Sequence, residues 1–145
     1  MSPLTLVKPL AVALTVAFSA PAAAGMTQEQ VNETLRGTPS IYNALFTAAV
    51  IHHIVETCDA LDGPNRLSRV AFFLPLYREA RGMGFSRAEI ESFVEDDAEQ
   101  ERMRQLVYSH LERQGVAHDN EAAVCAFGRA QIADGNAIGR RLSER

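Results

Sequence analysis

Residues 41 to 58 read IYNALFTAAVIHHIVETC. Ile41, Ala44, Leu45, Phe46, Ala48, Ala49, Val50, Ile51, Ile54 and Val55 leave only short polar gaps when the stretch is drawn as a helix. A helix wetted along one side shows a single apolar stripe, so a pattern that is apolar almost all round predicts a buried central helix. Pro39 suits the first turn, where it has no N–H to leave unpaired, and the Thr38 hydroxyl suits the cap before it. The helix should end at Cys58, ahead of the turn-forming Gly63-Pro64.

Downstream, the periodicity predicts four more helices. Asn65 to Arg81 places Leu67, Val70, Ala71, Leu74 and Tyr77 on one face. Pro75 lies inside that span, where a missing hydrogen bond and a clash with the Ala71 carbonyl should bend or break it at a cost of about 3 kcal/mol. The rings of Phe72 and Phe73 should fall to opposite sides of the bend, as core or subunit contacts. After Gly82-Met83-Gly84, the Ser86-Arg87-Ala88-Glu89 run has the form of a capping box and opens a short helix to about Val94. Asp96 or Asp97 should cap the next, with Met103, Leu106, Val107, His110 and Leu111 as its apolar stripe up to Gly115. Asp119 can cap the last long helix, Asn120 to about Asp134, which carries Ala122, Cys125, Ala126, Ile132 and Ala133. Its Gly128 costs about 1 kcal/mol relative to alanine and so points to close approach by another helix. Ile138 and Leu142 are the side chains with which the tail can dock.

Upstream, Gly25 to Gly37 is polar and reads as a mobile lead or a short surface helix. Residues 1 to 24 read as a signal peptide: Lys8 in the first part, an apolar run of 11 residues from Leu10 to Ala20, then Pro21 and the small residues Ala22 to Ala24 before cleavage. That run is well short of the roughly 20 residues needed to cross a bilayer, so no membrane association is expected after cleavage. The domain should occupy residues 38 to 145.

Composition narrows the function classes. The 145 residues, 47% apolar and 22% charged, suit one soluble globular domain. The net charge of −4 becomes −5 once the leader and its Lys8 are removed, leaving 13 arginines against 18 acidic residues. Nucleic acids and anionic membranes reward a basic patch, and only Arg140-Arg141 resembles one, more simply read as a wet last turn.

Cys58 and Cys125 are the only cysteines. In an exported chain, two cysteines 67 positions apart read as one structural disulfide. A redox-active pair is the alternative, but such thiols usually stand two residues apart near a helix start. His52-His53-Ile54-Val55-Glu56 could bring an imidazole and a carboxylate to one side of a helix and share a metal ion. Two ligands do not complete a site, and neighbouring histidines point about 100° apart on a helix. Seven acidic residues lie between Glu89 and Glu101. They lack the alternating ligands and turn glycine of a calcium loop, and read as caps and a solvated face. No nucleophile elbow, phosphate loop, dinucleotide fingerprint or haem-attachment motif occurs.

The central helix ending in a cysteine, GFSRAEIESFVEDDAEQERMR from Gly84 to Arg104 and CAFGRAQIADGNAIGRRL from Cys125 to Leu142 resemble the small exported proteins of Rhodobacter-type alphaproteobacteria called domain of unknown function 5333. The resemblance spans about residues 38 to 142. It implies a periplasmic address and no particular reaction; His52-His53 and Pro75 are not part of it.

The expectation is an all-α fold: a small orthogonal bundle of about five helices around Ile41 to Cys58, stapled by Cys58 and Cys125. A non-enzymatic periplasmic accessory or binding protein, with a protein or small-molecule partner and no cofactor, is the leading functional reading. The alternative is a metal-dependent or hydrolase-like enzyme using His52, His53 or Glu56.

Overall fold

The computed structural model describes residues 25–145. The proposed leader, residues 1–24, lies outside the described residues. Over the described residues the fold is all-α, with six helices and one two-stranded ribbon: α1 (Gln28–Arg36), α2 (Pro39–Thr57), β1 (Leu61–Asp62), α3 (Arg66–Gly82), α4 (Arg87–Glu95), α5 (Asp97–Arg113), α6 (Glu121–Asp134), a 3-10 turn (Gly139–Arg141) and β2 (Ser143–Glu144).

The five helices expected from periodicity are α2 to α6, and the sixth, α1, is a short helix within residues 25–37, the stretch that reads as a mobile lead or a short surface helix. Thr27 and Gln30 close a capping box at its start, and Val31 and Leu35 are buried on one side. Gln28 Nε2 donates to Asn32 Oδ1 at 2.7 Å and to the Glu89 carbonyl at 2.9 Å, tying α1 to α4.

Two apolar clusters hold the bundle. Val50, Ile51 and Ile54 of α2 pack with Val107 and Leu111 of α5, Val124 and Phe127 of α6, Leu61 and Leu142. A smaller cluster joins Val31 and Leu35 to Ile41, Ala80, Phe85, Ile90 and Phe93. Cys58 ends α2 and is bonded to Cys125 of α6, with Cα atoms 5.2 Å apart. The larger cluster therefore carries a covalent tie between the central and final helices.

The caps at Ser86 and Asp96 follow the sequence reading, each accepting the backbone N–H three residues on. Two others do not. Thr38 turns its hydroxyl back to the Thr34 carbonyl at 2.8 Å and leaves the start of α2 without a side-chain cap. Asn120, not Asp119, caps α6, accepting from the Ala123 N–H at 2.9 Å. The buried face of α6 is also not the alanine-rich stripe: Val124, Cys125, Phe127 and Gly128 face inward, while Ala122, Ala126 and Ala133 are exposed.

Gly128 does serve close approach. A Cβ there would stand 2.5 Å from Leu61 Cδ1 and 3.0 Å from Ile54 Cγ2. The tail docks through Leu142, and its last residues pair antiparallel with β1, Leu61 opposite Glu144 and Asp62 opposite Ser143. Arg145 then reaches Asp62 Oδ1, Nη2 donating at 2.6 Å.

The largest departure is α3. It runs unbroken through Pro75, and its expected core stripe faces solvent, with Leu67 78% and Val70 54% exposed. Only Ala80, near its end, is buried. Periodicity identifies an apolar face; it does not supply the partner that covers it.

Candidate functional site

The standing-off of α3 leaves a concavity on each of its flanks. The sequence predicts α2 buried nearly all round, yet only Ile41, Val50, Ile51 and Ile54 are fully buried there. Leu45, Ala48, Ala49 and Val55 are half-buried at the edge of the core and also line a groove of about 500 Å³ between α2, α3, α4 and α5. Alanines at 48 and 49 keep the α2 floor low. Phe72 and Phe73 form one wall, and Phe93, Val94 and Met103 the other. The two phenylalanines do not straddle a bend: their rings meet edge to face with centroids 5.1 Å apart, and both line the groove. A second concavity of about 570 Å³ lies on the other flank of α3 and shares Leu45, Phe73, Phe93 and Val94 with the first.

Helices α2 and α3 run antiparallel, because Ser40 at the start of α2 hydrogen-bonds Glu79 near the end of α3. The groove therefore has two chemically different ends. At the start of α2 stand Tyr42, Glu99 and Gln100. Glu99 is 7% exposed, so one member of the acidic run expected on a solvated face is in fact buried. Arg36 Nε donates to its Oε2 at 3.2 Å, Nη2 donates to Oε1, and Arg102 stands 3.7 Å away. The hydrogen bond to Glu99 is the largest influence raising the Arg36 pKa, and so the guanidinium stays charged. The Tyr42 hydroxyl is buried with no hydrogen-bond partner among the described residues. Burial, and secondarily the Glu99 charge, raise its pKa, leaving a neutral O–H.

The other end of the groove carries Arg69, in the first turn of α3, and Arg141. Arg141 is not simply the wet last turn expected for it. Its Nη1 donates to the Ala137 carbonyl at 2.6 Å and its Cζ lies 4.7 Å from the Phe72 ring centroid, a cation–π placement.

The residues proposed from sequence for metal or acid–base chemistry separate. His52 and Glu56 form an exposed pair one turn apart, Nε2 to Oε1 3.2 Å, with His52 at the groove's edge. His53 points elsewhere. Its Nε2 lies 2.8 Å from the His118 carbonyl and its ring meets Tyr108, on which His118 stacks at 3.9 Å. His110 is wedged between Phe46 and Phe127, and burial lowers its pKa. Among the described residues no three His, Cys, Asp or Glu side chains gather closely enough to hold a metal ion. Nor is any described helix long and apolar enough to cross a membrane.

Sequence reasoning missed Tyr42, Arg69, Glu99 and Arg141. The available signal was the excess of apolar surface on α2, more than one core can use, together with two unmatched aromatic neighbours on α3.

No curated protein and no solved structure matches the chain. A match does exist at the level of families. Residues 33–143 match the family described as "Family of unknown function (DUF5333)", a span slightly longer than the resemblance drawn from the motifs and covering most of the chain; the chain belongs to that family.

Proposed function

We propose that this chain is a non-enzymatic periplasmic binding or accessory protein that holds an apolar molecule in the groove between α2 and α3. One observation carries the reading. The central helix leaves Leu45, Ala48, Ala49 and Val55 only partly covered, and all four line a groove of about 500 Å³. Small-molecule sites typically enclose about 300–1,000 Å³, mostly apolar, with a few polar groups that fix orientation. The apolar walls and the Tyr42 hydroxyl fit that description. The signal-peptide pattern and the Cys58–Cys125 bond support an oxidising compartment outside the cytoplasm. His52, His53 and Glu56 do not converge on the groove, which supports binding over chemistry at those residues.

The test is fluorescence titration with an uncharged apolar dye such as Nile red. Saturable one-to-one binding is expected. Ala48→Phe, which raises the groove floor, should weaken it at least about tenfold. Absence of saturable binding, or an unchanged affinity in Ala48→Phe, would contradict the reading.

A further inference from the structure

The charges around the groove say what kind of molecule fits it. Five lining residues carry charge or titrate: Tyr42, whose hydroxyl stays neutral, and His52, Arg69, Glu99 and Arg141. Glu99 is neutralised by Arg36 and Arg102, and exposed His52 faces Glu56. Arg69 and Arg141 have no carboxylate within ion-pair distance among the described residues; the acids that other arginines hold nearby, such as Asp62 with Arg145, are already satisfied. Both arginines stand at the end where α2 finishes, beside Gly63, Pro64 and Val55. Arg141 is fixed there by the Ala137 carbonyl and the Phe72 ring, so little conformational freedom is lost when it meets an anion.

Resting on the binding role proposed above, we infer that the ligand is a single-chain amphiphile with an anionic head, of the fatty-acid class. Its carboxylate sits between Arg69 and Arg141, and its hydrocarbon chain lies along Val55, Ala48 and Leu45 toward Tyr42. From Tyr42 to Val55 the α2 surface is roughly 20 Å long at 1.5 Å per residue, a track for an extended chain. The opposite orientation is disfavoured because the cations at that end, Arg36 and Arg102, are already paired with Glu99. The protein's overall negative charge does not oppose this placement strongly, since exposed charges beyond about 8–10 Å are screened at physiological salt. Charge-assisted hydrogen bonds to a carboxylate are the stronger kind, and arginine presents them in pairs.

The experiment compares dodecanoate, dodecanol and dodecylammonium, each below its aggregation concentration, by isothermal titration with the mature chain. Dodecanoate should bind at least about tenfold tighter than dodecanol, and dodecylammonium weakest. The double variant Arg69→Gln/Arg141→Gln should lose that advantage while retaining saturable binding of dodecanol, which also shows that it folds. Added salt should weaken dodecanoate and leave dodecanol unchanged. Equal binding of acid and alcohol, or a double variant that keeps the preference for the acid, overturns the anionic-head assignment and leaves the groove reading standing. Failure of all three to bind overturns both.

Discussion

Arg36 at the end of α1 holds Glu99 in the first turn of α5, 63 positions away, with Nε donating to Oε2 at 3.2 Å. The carboxylate is 7% exposed and also caps one end of the groove. Removing one partner of a buried pair leaves the other charge poorly solvated, the costly half of such an interaction. Glu99→Gln keeps the shape and removes the charge. Because Arg36 is a quarter exposed, the loss should be about 2 kcal/mol rather than the full cost of a sealed site. Urea unfolding checks this: the midpoint should fall with an unchanged slope. An unaltered midpoint would mean that the ion pair adds nothing to the apolar contacts and the Gln28 hydrogen bond that hold α1.

The Cys58–Cys125 bond closes a loop of 67 positions and ties α2 to α6 inside the larger cluster. In the chain-entropy model a loop that long contributes about 4 kcal/mol, a large share of the roughly 5–15 kcal/mol of a domain. Cys58→Ser should therefore unfold at much lower temperature and leave Cys125 free to pair between molecules. Mass measured after trapping with a thiol-blocking reagent checks the bond itself. The native protein should take up no reagent before reduction and two equivalents after it; two before reduction would refute the tie.

Two glycines should differ sharply in their tolerance of a methyl group. A Cβ at Gly139 would stand 1.7 Å from the Gln131 carbonyl oxygen, a backbone atom that cannot step aside. At Gly128 it meets the side-chain ends of Leu61 and Ile54, and alanine's better helix propensity returns about 1 kcal/mol against an overpacking cost of about 1–3. Gly139→Ala should cost about 3 kcal/mol or more and Gly128→Ala about 1. Gly139→Ala should also release the tail, read as faster hydrogen exchange at the Arg145 N–H that donates to the Ala60 carbonyl. Equal effects would contradict the docking of the 3-10 turn on α6.

His110 supplies a pH dependence with a definite sign. Burial between Phe46 and Phe127, with a smaller push from Arg113, lowers its folded pKa below the ordinary 6.5. Above about pH 6.5 it is neutral in both states and costs nothing. As pH falls through that value the unfolded chain takes up a proton first, so stability declines until the folded pKa is passed and then levels. His110→Phe keeps a ring in the aromatic stack and removes the proton site. Its melting temperature should fall less between about pH 7.5 and about pH 5.5 than that of the unmodified chain. An identical fall in both would remove His110 as a source.

Much of the fold is legible in the sequence because it is written in local chemistry. The capping residues Ser86 and Asp96, the breaker Gly63-Pro64 and the periodicity of α5 each act within one turn of the chain. The docking of α1 is hidden because Val31 and Leu35 are only two apolar residues in a polar run, and their burial depends on Ile90 and Phe93 of α4, far along the chain. The faces of α3 and α6 fail for a related reason. Periodicity ranks Leu67 and Val70 with core residues, and counts alanine with valine, while burial is decided by which surfaces the remaining helices cover. The groove follows from that same shortfall, and its charged ends are visible only once Glu99 and Arg141 are brought to α2 by the tertiary fold.

The central claim is that the uncovered flank of α2 is where this protein binds. Amide and methyl chemical-shift mapping during titration with dodecanol tests it most directly, because it reports location as well as affinity. The account predicts saturable shifts at Leu45, Ala48, Val55, Phe72, Phe93 and Met103, with Val107 and Val124 in the core unmoved. Shifts confined to the exposed outer stripe at Leu67 and Val70, or none at all, would contradict it.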